Sequence, residues 1–105
     1  MAPRQLEQAV DLNEAQAGAA AGMLAALANP RRLMILCSLV EGEKSVGELN
    51  EKISLSQSAL SQHLARLRAE NLVDTRRESQ TIYYRISEPV VYDLISQLHA
   101  RYCKG

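Results

Sequence analysis

Two thiols and one stretch of neutral polar side chains are the chain's candidates for chemistry. Cys37 sits inside the apolar run RRLMILCSLV (Arg31–Val40), and Cys103 follows 66 positions later in HARYCKG. Two such cysteines either fill space as small apolar groups or form a dithiol, in which one reacts as thiolate and the other resolves the product. Spacing alone leaves both readings open. The polar stretch is SQSALSQHLARLR (Ser56–Arg68). At ~100° per residue Leu60, Leu64 and Leu67 share one helical face, and Ser58, Ser61, Gln62, Ala65 and Arg66 share the other. Gln57 falls in the first turn. Ser and Gln hydrogen-bond base edges or phosphates, and Gln pairs with adenine through two bonds. Free N–H groups at a helix start attract phosphate. His63 lies at the edge of the inner face, placed to pack or to touch a phosphate.

The elements that must hold these residues follow from local signals. Good helix formers run from about Val10 to Ala28, after residues 1–9, which carry no pattern and are expected to be disordered. Asn29-Pro30 reads as an N-cap with proline at the first helical position, starting a helix that runs to about Val40 and stops before Gly42. SVGE (Ser45–Glu48) fits a capping box and starts a short helix to about Ile53. A turn at Ser54-Leu55 leads to Ser56, which caps a helix over Gln57–Glu70. LVDTRR and TIYYRI, separated by ESQ, read as a β-hairpin, with Arg76, Arg77 and Gln80 at or near its tip. SEP (Ser87–Pro89) opens a last helix whose Val90, Val91, Leu94, Ile95, Leu98 and Tyr102 keep helical spacing.

The order α-α-α-α-β-β-α is that of a winged helix-turn-helix, mainly α with a two-stranded hairpin as the wing. The helix-turn-helix spans 45–70 and the wing 71–86, in a single domain of 105 residues. So short a chain buries a limited core, which favours a homodimer. Twelve basic and twelve acidic residues balance, so any positive field that meets DNA is a local patch. A secretory leader would start with a positive segment, whereas Glu7, Asp11 and Glu14 precede or begin the Ala-rich run Ala15–Ala28. The expectation is a cytoplasmic protein with no membrane partner, its thiols normally reduced.

ANPRRLMILCSL, LSQSALSQHLARLRAENLV and TIYYRI together resemble the ArsR/SmtB family of winged-helix repressors, over about residues 20–102. The resemblance implies a homodimer joined through its first and last helices (10–28 and 88–103), a double-stranded operator with two-fold symmetry, and release of DNA when an inducer binds. It implies DNA contacts from Gln57, Ser58, Ser61, Gln62, His63 and Arg66, and wing contacts from Arg76, Arg77 and Gln80. Family members often carry glycine where this chain has Ser54 and Asn71. Both positions are therefore expected in the left-handed region, with local strain at Ser54.

The family's metal sites find poor counterparts. VGELNEKI, before the polar helix, has no Cys or His. On the last helix Asp93 and His99 are six apart, on opposite sides, with Ile95 at a ligand position. A zinc site needs three or four placed ligands, so no metal and no cofactor is expected. Cys37 and Cys103 instead resemble the paired cysteines of the family's sulfide- and persulfide-responsive branch. That implies a dithiol switch, with a reactive sulfur species or oxidant as inducer. Arg101 and Lys104 flank Cys103 and favour its thiolate, the apolar neighbours of Cys37 oppose one, and a helix C-terminus disfavours a thiolate, so neither position is activated by a helix dipole. The alternatives are a metal- or metalloid-responsive repressor, and a derepressor that activates genes by displacing another DNA-bound protein. A winged helix that binds only protein is a further alternative. The chain has no Cys-x-x-Cys and no Ser/His/Asp or paired-carboxylate pattern, so an enzyme is not expected.

Overall fold

Each of the five described helices starts at a side chain that accepts a backbone N–H, which satisfies donors the first turn leaves unpaired. The computed structural model of the protein describes residues 11–103. Helix α1 spans Glu14–Leu27. Asn13 Oδ1 accepts from Gln16 N at 2.7 Å, and Gln16 Oε1 accepts from Asn13 N at 3.0 Å. This capping box places the start at Glu14 rather than near Val10. Val10 itself, like the expected disordered stretch 1–9, lies outside the described residues. Helix α2 spans Pro30–Val40, with Asn29 Oδ1 accepting from Arg31 N and Arg32 N. Gly42, at φ 139°, then turns the chain. Strand β1 (Lys44–Ser45) leads into α3 (Val46–Lys52), which Ser45 and Glu48 cap reciprocally at 3.1 and 2.8 Å. Helix α4 spans Gln57–Ala69 with Ser56 as cap. Strands β2 (Val73–Glu78) and β3 (Thr81–Ile86) precede α5 (Pro89–Tyr102), which Glu88 caps.

The sheet differs from the expected hairpin in having a third strand. Its order is β1-β3-β2, antiparallel throughout, with Lys44 opposite Tyr84 and Val73 opposite Ile86. Two residues leave no alternating pattern in a sequence, so β1 exists only through its pairing with β3. Glu78, read as part of the breaker, continues β2, and the turn narrows to Ser79-Gln80 with Ser79 at φ 58°. Asn71 takes the expected left-handed conformation at φ 62°. Ser54 does not. The chain leaves α3 extended at Ile53, and Leu55 N donates to Ile53 O at 2.8 Å, closing a three-residue turn around Ser54 with no positive φ. Asn50 Nδ2 pins that turn through Leu55 O at 2.9 Å. The strain expected at Ser54 is therefore absent.

Leu60, Leu64 and Leu67 of α4 meet Ile35, Leu36 and Leu39 of α2, Leu49 of α3, and Val91 and Ile95 of α5 in one buried core. Removing a methyl cluster of this kind costs about 2–5 kcal/mol per Leu→Ala. Helix α5 buries fewer of its apolar residues than its pattern promised. Val91 and Ile95 face the core, whereas Val90, Leu94, Leu98 and Tyr102 are 52%, 37%, 39% and 72% exposed. Among the described residues no single helix is long and apolar enough to cross a membrane. The whole is a winged helix-turn-helix in which α3 and α4 form the helix pair and β2–β3 the wing.

Candidate functional site

The outer face of α4 is open. Gln57, Ser58, Ser61, Gln62, Ala65 and Arg66 are all exposed, while the leucines opposite are buried. Arg66 reaches Glu70 only at 3.9 Å, so its guanidinium stays largely available. His63 is half-buried at the edge of this face, with Nδ1 3.4 Å from Arg32 Nη1. A guanidinium only donates, so Nδ1 accepts and the ring proton resides on Nε2. Partial burial, and then the charges of Arg32 and Arg31, hold the His63 pKa below its ordinary value. Arg32 also donates from Nε to Ala26 O at 2.6 Å. One side chain thus ties the end of α1 to the middle of α4. No local pattern signals this role of Arg32, whose partners lie 6 and 31 positions away.

The wing separates its two arginines. Arg77 and Gln80 are exposed near the Ser79-Gln80 turn. Arg76 is committed elsewhere: its Nη2 donates to Glu43 Oε1 at 2.8 Å and its Nη1 to Glu78 Oε1 at 3.0 Å. Its guanidinium also lies 4.5 Å from the centre of the Tyr83 ring. These bonds raise the Arg76 pKa, and the same contact lowers that of Glu43. The local charge of Arg76 is balanced, and Arg77 is the wing cation with no ion pair among the described residues. Glu43 was missed as a site neighbour, since it stands 33 positions from its partner.

The thiols converge. Helices α2 and α5 bound an open, mostly apolar cavity of about 440 Å³, and both Cys37 and Cys103 line it. Both are free, Cys37 half-buried and Cys103 exposed at the C-cap of α5. Burial pushes the Cys37 thiol up, and the adjacent Cys103 adds to this by charge and by a side-chain hydrogen bond. Arg101, expected to favour a Cys103 thiolate, lies over the Tyr102 ring at 4.9 Å. Lys104 lies outside the described residues. His99 lines the same cavity, one helical turn before Cys103. Weighed only as a metal ligand, it was missed as a neighbour of the thiols, although the four-residue spacing His99-x-x-x-Cys103 was a usable signal. Ser38, 9% exposed, also lines the cavity, and its hydroxyl has no hydrogen-bond partner among the described residues. Among those residues no three His, Cys, Asp or Glu side chains cluster in a way that could hold a metal ion.

Known proteins resemble this chain in sequence and fold. A family model described as "Bacterial regulatory protein, arsR family" matches residues 29–75, from the cap of α2 into β2. The transcriptional activator HlyU of Vibrio cholerae is 49% identical over 104 residues, covering 99% of this chain and 93% of that protein. The biofilm growth-associated repressor of Agrobacterium fabrum is 47% identical over 90 residues, covering 86% of this chain and 77% of that protein. The solved structure of reduced HlyU from Vibrio cholerae superposes with a TM-score of 0.83 at 52% identity, covering 87% of this chain and 96% of that one. On this agreement of sequence and fold, the chain is a transcriptional regulator belonging to the arsR family.

Proposed function

We propose that the protein is a repressor that binds its operator with both thiols reduced and releases it when Cys37 and Cys103 become linked within one subunit. The inducer is a reactive sulfur species, a persulfide or polysulfide, or another thiol oxidant. The observation that carries this reading is the meeting of Cys37 and Cys103 across one cavity although they stand 66 positions apart in the chain.

DNA is met by α4 and the wing. Gln57, Ser58, Ser61 and Gln62 read base edges or phosphates from the outer face of α4, and Arg66 supplies charge. His63 presents its Nε2–H to a phosphate. Arg77 and Gln80 contact the backbone beside the wing, and Arg76 contributes chiefly by holding the wing in place through Glu43. The working unit is a homodimer on double-stranded DNA of two-fold symmetry. This is supported by the outward apolar residues of α5, with Leu24 of α1 also exposed, which a second copy would cover.

The switch runs through α5. Cys103 ends the helix that carries the proposed dimer face, and Leu98 and Tyr102 belong to both that face and the cavity. Linking Cys103 to Cys37 fixes α5 against α2 and alters how the two copies meet, which changes the separation of the recognition helices. Coupling of only ~1–3 kcal/mol changes affinity about five- to 150-fold.

The test is a gel shift on the gene's upstream region with reduced protein, then with protein treated by persulfide, peroxide or disulfide, each sample weighed by mass spectrometry. Persulfide is expected to link the thiols and release DNA. Cys37→Ser and Cys103→Ser proteins are expected to stay bound. Normal release by either variant overturns the reading.

A further inference from the structure

We infer that His99 is the proton-handling group of this dithiol: it takes the thiol proton as each sulfur attacks and returns it to the sulfur that departs. The inference rests on the reading of Cys37 and Cys103 as a persulfide-reactive pair.

Placement comes first. His99 and Cys103 are four apart on α5, so they stack on one face, and both line the cavity that Cys37 lines from α2. The chain's other histidine, His63, is engaged by Arg32, whereas the His99 ring has no hydrogen-bond or ion-pair partner among the described residues.

Need comes second. The cavity walls include Leu33, Met34, Ile53 and Leu98, which leave a thiolate poorly solvated, and burial already raises the Cys37 thiol. Cys37, half-buried against these walls, is the sulfur whose proton gains most from a base inside the cavity, and the exposed Cys103 beside it shares the same neighbour. The charged and titratable groups that line the cavity with His99 are Cys37 from α2, Glu41 just past its end, Lys52 from α3, and Tyr102 and Cys103 at the end of α5. Glu41 is bound by Lys52 at 3.2 Å and by Lys44 at 3.5 Å, which lowers its pKa and makes it a poor base. Lys52 is held in the same pair. An imidazole exchanges protons in both directions near neutral pH, and a thiol beside an imidazole is a recurring activated nucleophile.

The chemistry balances with a low-molecular-weight persulfide, RSSH, as oxidant. Cys103 Sγ attacks the outer sulfur, its proton passing to His99. The RS–S bond breaks, RS⁻ leaves and takes that proton as RSH, and Cys103 carries a persulfide. Cys37 Sγ then attacks Cys103 Sγ, its proton passing to His99, and the outer sulfur departs as HS⁻ to be protonated to H₂S. Two thiols are oxidised by two electrons to a disulfide, and the sulfane sulfur is reduced to sulfide.

The experiment follows linkage of the full chain by quenched mass spectrometry after mixing with N-acetylcysteine persulfide, from pH 6 to 9. His99→Gln is expected to slow linkage at pH 7 by about 10²-fold. The deficit should shrink as pH rises and hydroxide takes over the proton. His99→Gly is expected to regain rate when imidazole is added, which a purely structural loss would not do. Far-UV dichroism confirms that each variant is folded. An unchanged rate and pH profile in His99→Gln overturns the inference while the dithiol reading stands. So does a slowing that neither pH nor imidazole relieves. No linkage in the unsubstituted protein overturns both.

Discussion

Helices α4 and α5 are nearly equal in length and both amphipathic, yet they face outward in opposite ways. α4 buries Leu60, Leu64 and Leu67 and shows water hydroxyls, amides and two arginines, Arg66 and Arg68. α5 buries only Val91 and Ile95 and shows water Val90, Leu94, Leu98 and Tyr102. The contrast teaches that an amphipathic pattern identifies an inner face but says little about the partner of the outer one. A polar surface with a basic end suits a groove of base edges and phosphates. An apolar surface suits a second protein surface that excludes water. The thiols sit where the exposed apolar residues Leu98 and Tyr102 of α5 reach the cavity.

The comparison can be broken most severely from inside. Leu64→Ala on α4 is expected to lower stability by about 2–5 kcal/mol in denaturant unfolding, since its side chain is 1% exposed. Leu94→Ala, on the outer face of α5, should cost the single chain far less and instead weaken self-association, read by sedimentation at micromolar concentrations. Equal global losses for the two would remove the distinction between the helices.

The next effect is on DNA. Arg77→Ala should reduce operator affinity and flatten its salt dependence by a log–log slope of about 0.9, the value for one phosphate contact. Arg76→Ala should flatten it less, because Glu43 and Glu78 already balance that charge. If Arg76 gave the larger slope change, its ion pairs would have to open on DNA.

The smallest effect concerns reagents. Cys37 should react with iodoacetamide more slowly than the exposed Cys103, and its rate should rise with pH as the raised thiol ionises. Each unit of pKa elevation lowers the thiolate fraction about tenfold well below the pKa. Replacing Cys103 by Ser should quicken Cys37 slightly, since Cys103 is one cause of that elevation.

The features legible in the sequence were those written within a few residues. Asn29-Pro30, the Ser45/Glu48 box and Ser56 each join a side chain to backbone at most three positions away, so residue type and spacing disclosed three helix starts. Asn13 and Gln16 form the same device, but the alanine-rich run extended helical propensity past them and hid the boundary. β1, the turn at Ser54 and the Arg76–Glu43 pair rest on contacts between distant segments, for which the local pattern holds no record. The α4 face was readable because Leu60, Leu64 and Leu67 fix its orientation. The thiol pair was not: spacing left packing and dithiol readings both open, family resemblance paired Cys37 with Cys103, and only the packing of α2 on α5 brings His99 beside them.

Arg32 has a consequence for mechanics. Its guanidinium is a flat plate whose N–H directions are fixed relative to one another, and it is bonded on one side to the last turn of α1 and on the other to His63 of α4. From its own place on α2, Arg32 thus makes three helices neighbours of one charge. Exchanging it for an apolar side chain would leave the Ala26 carbonyl and the His63 ring without this shared donor, so a single substitution would loosen two helix contacts at once.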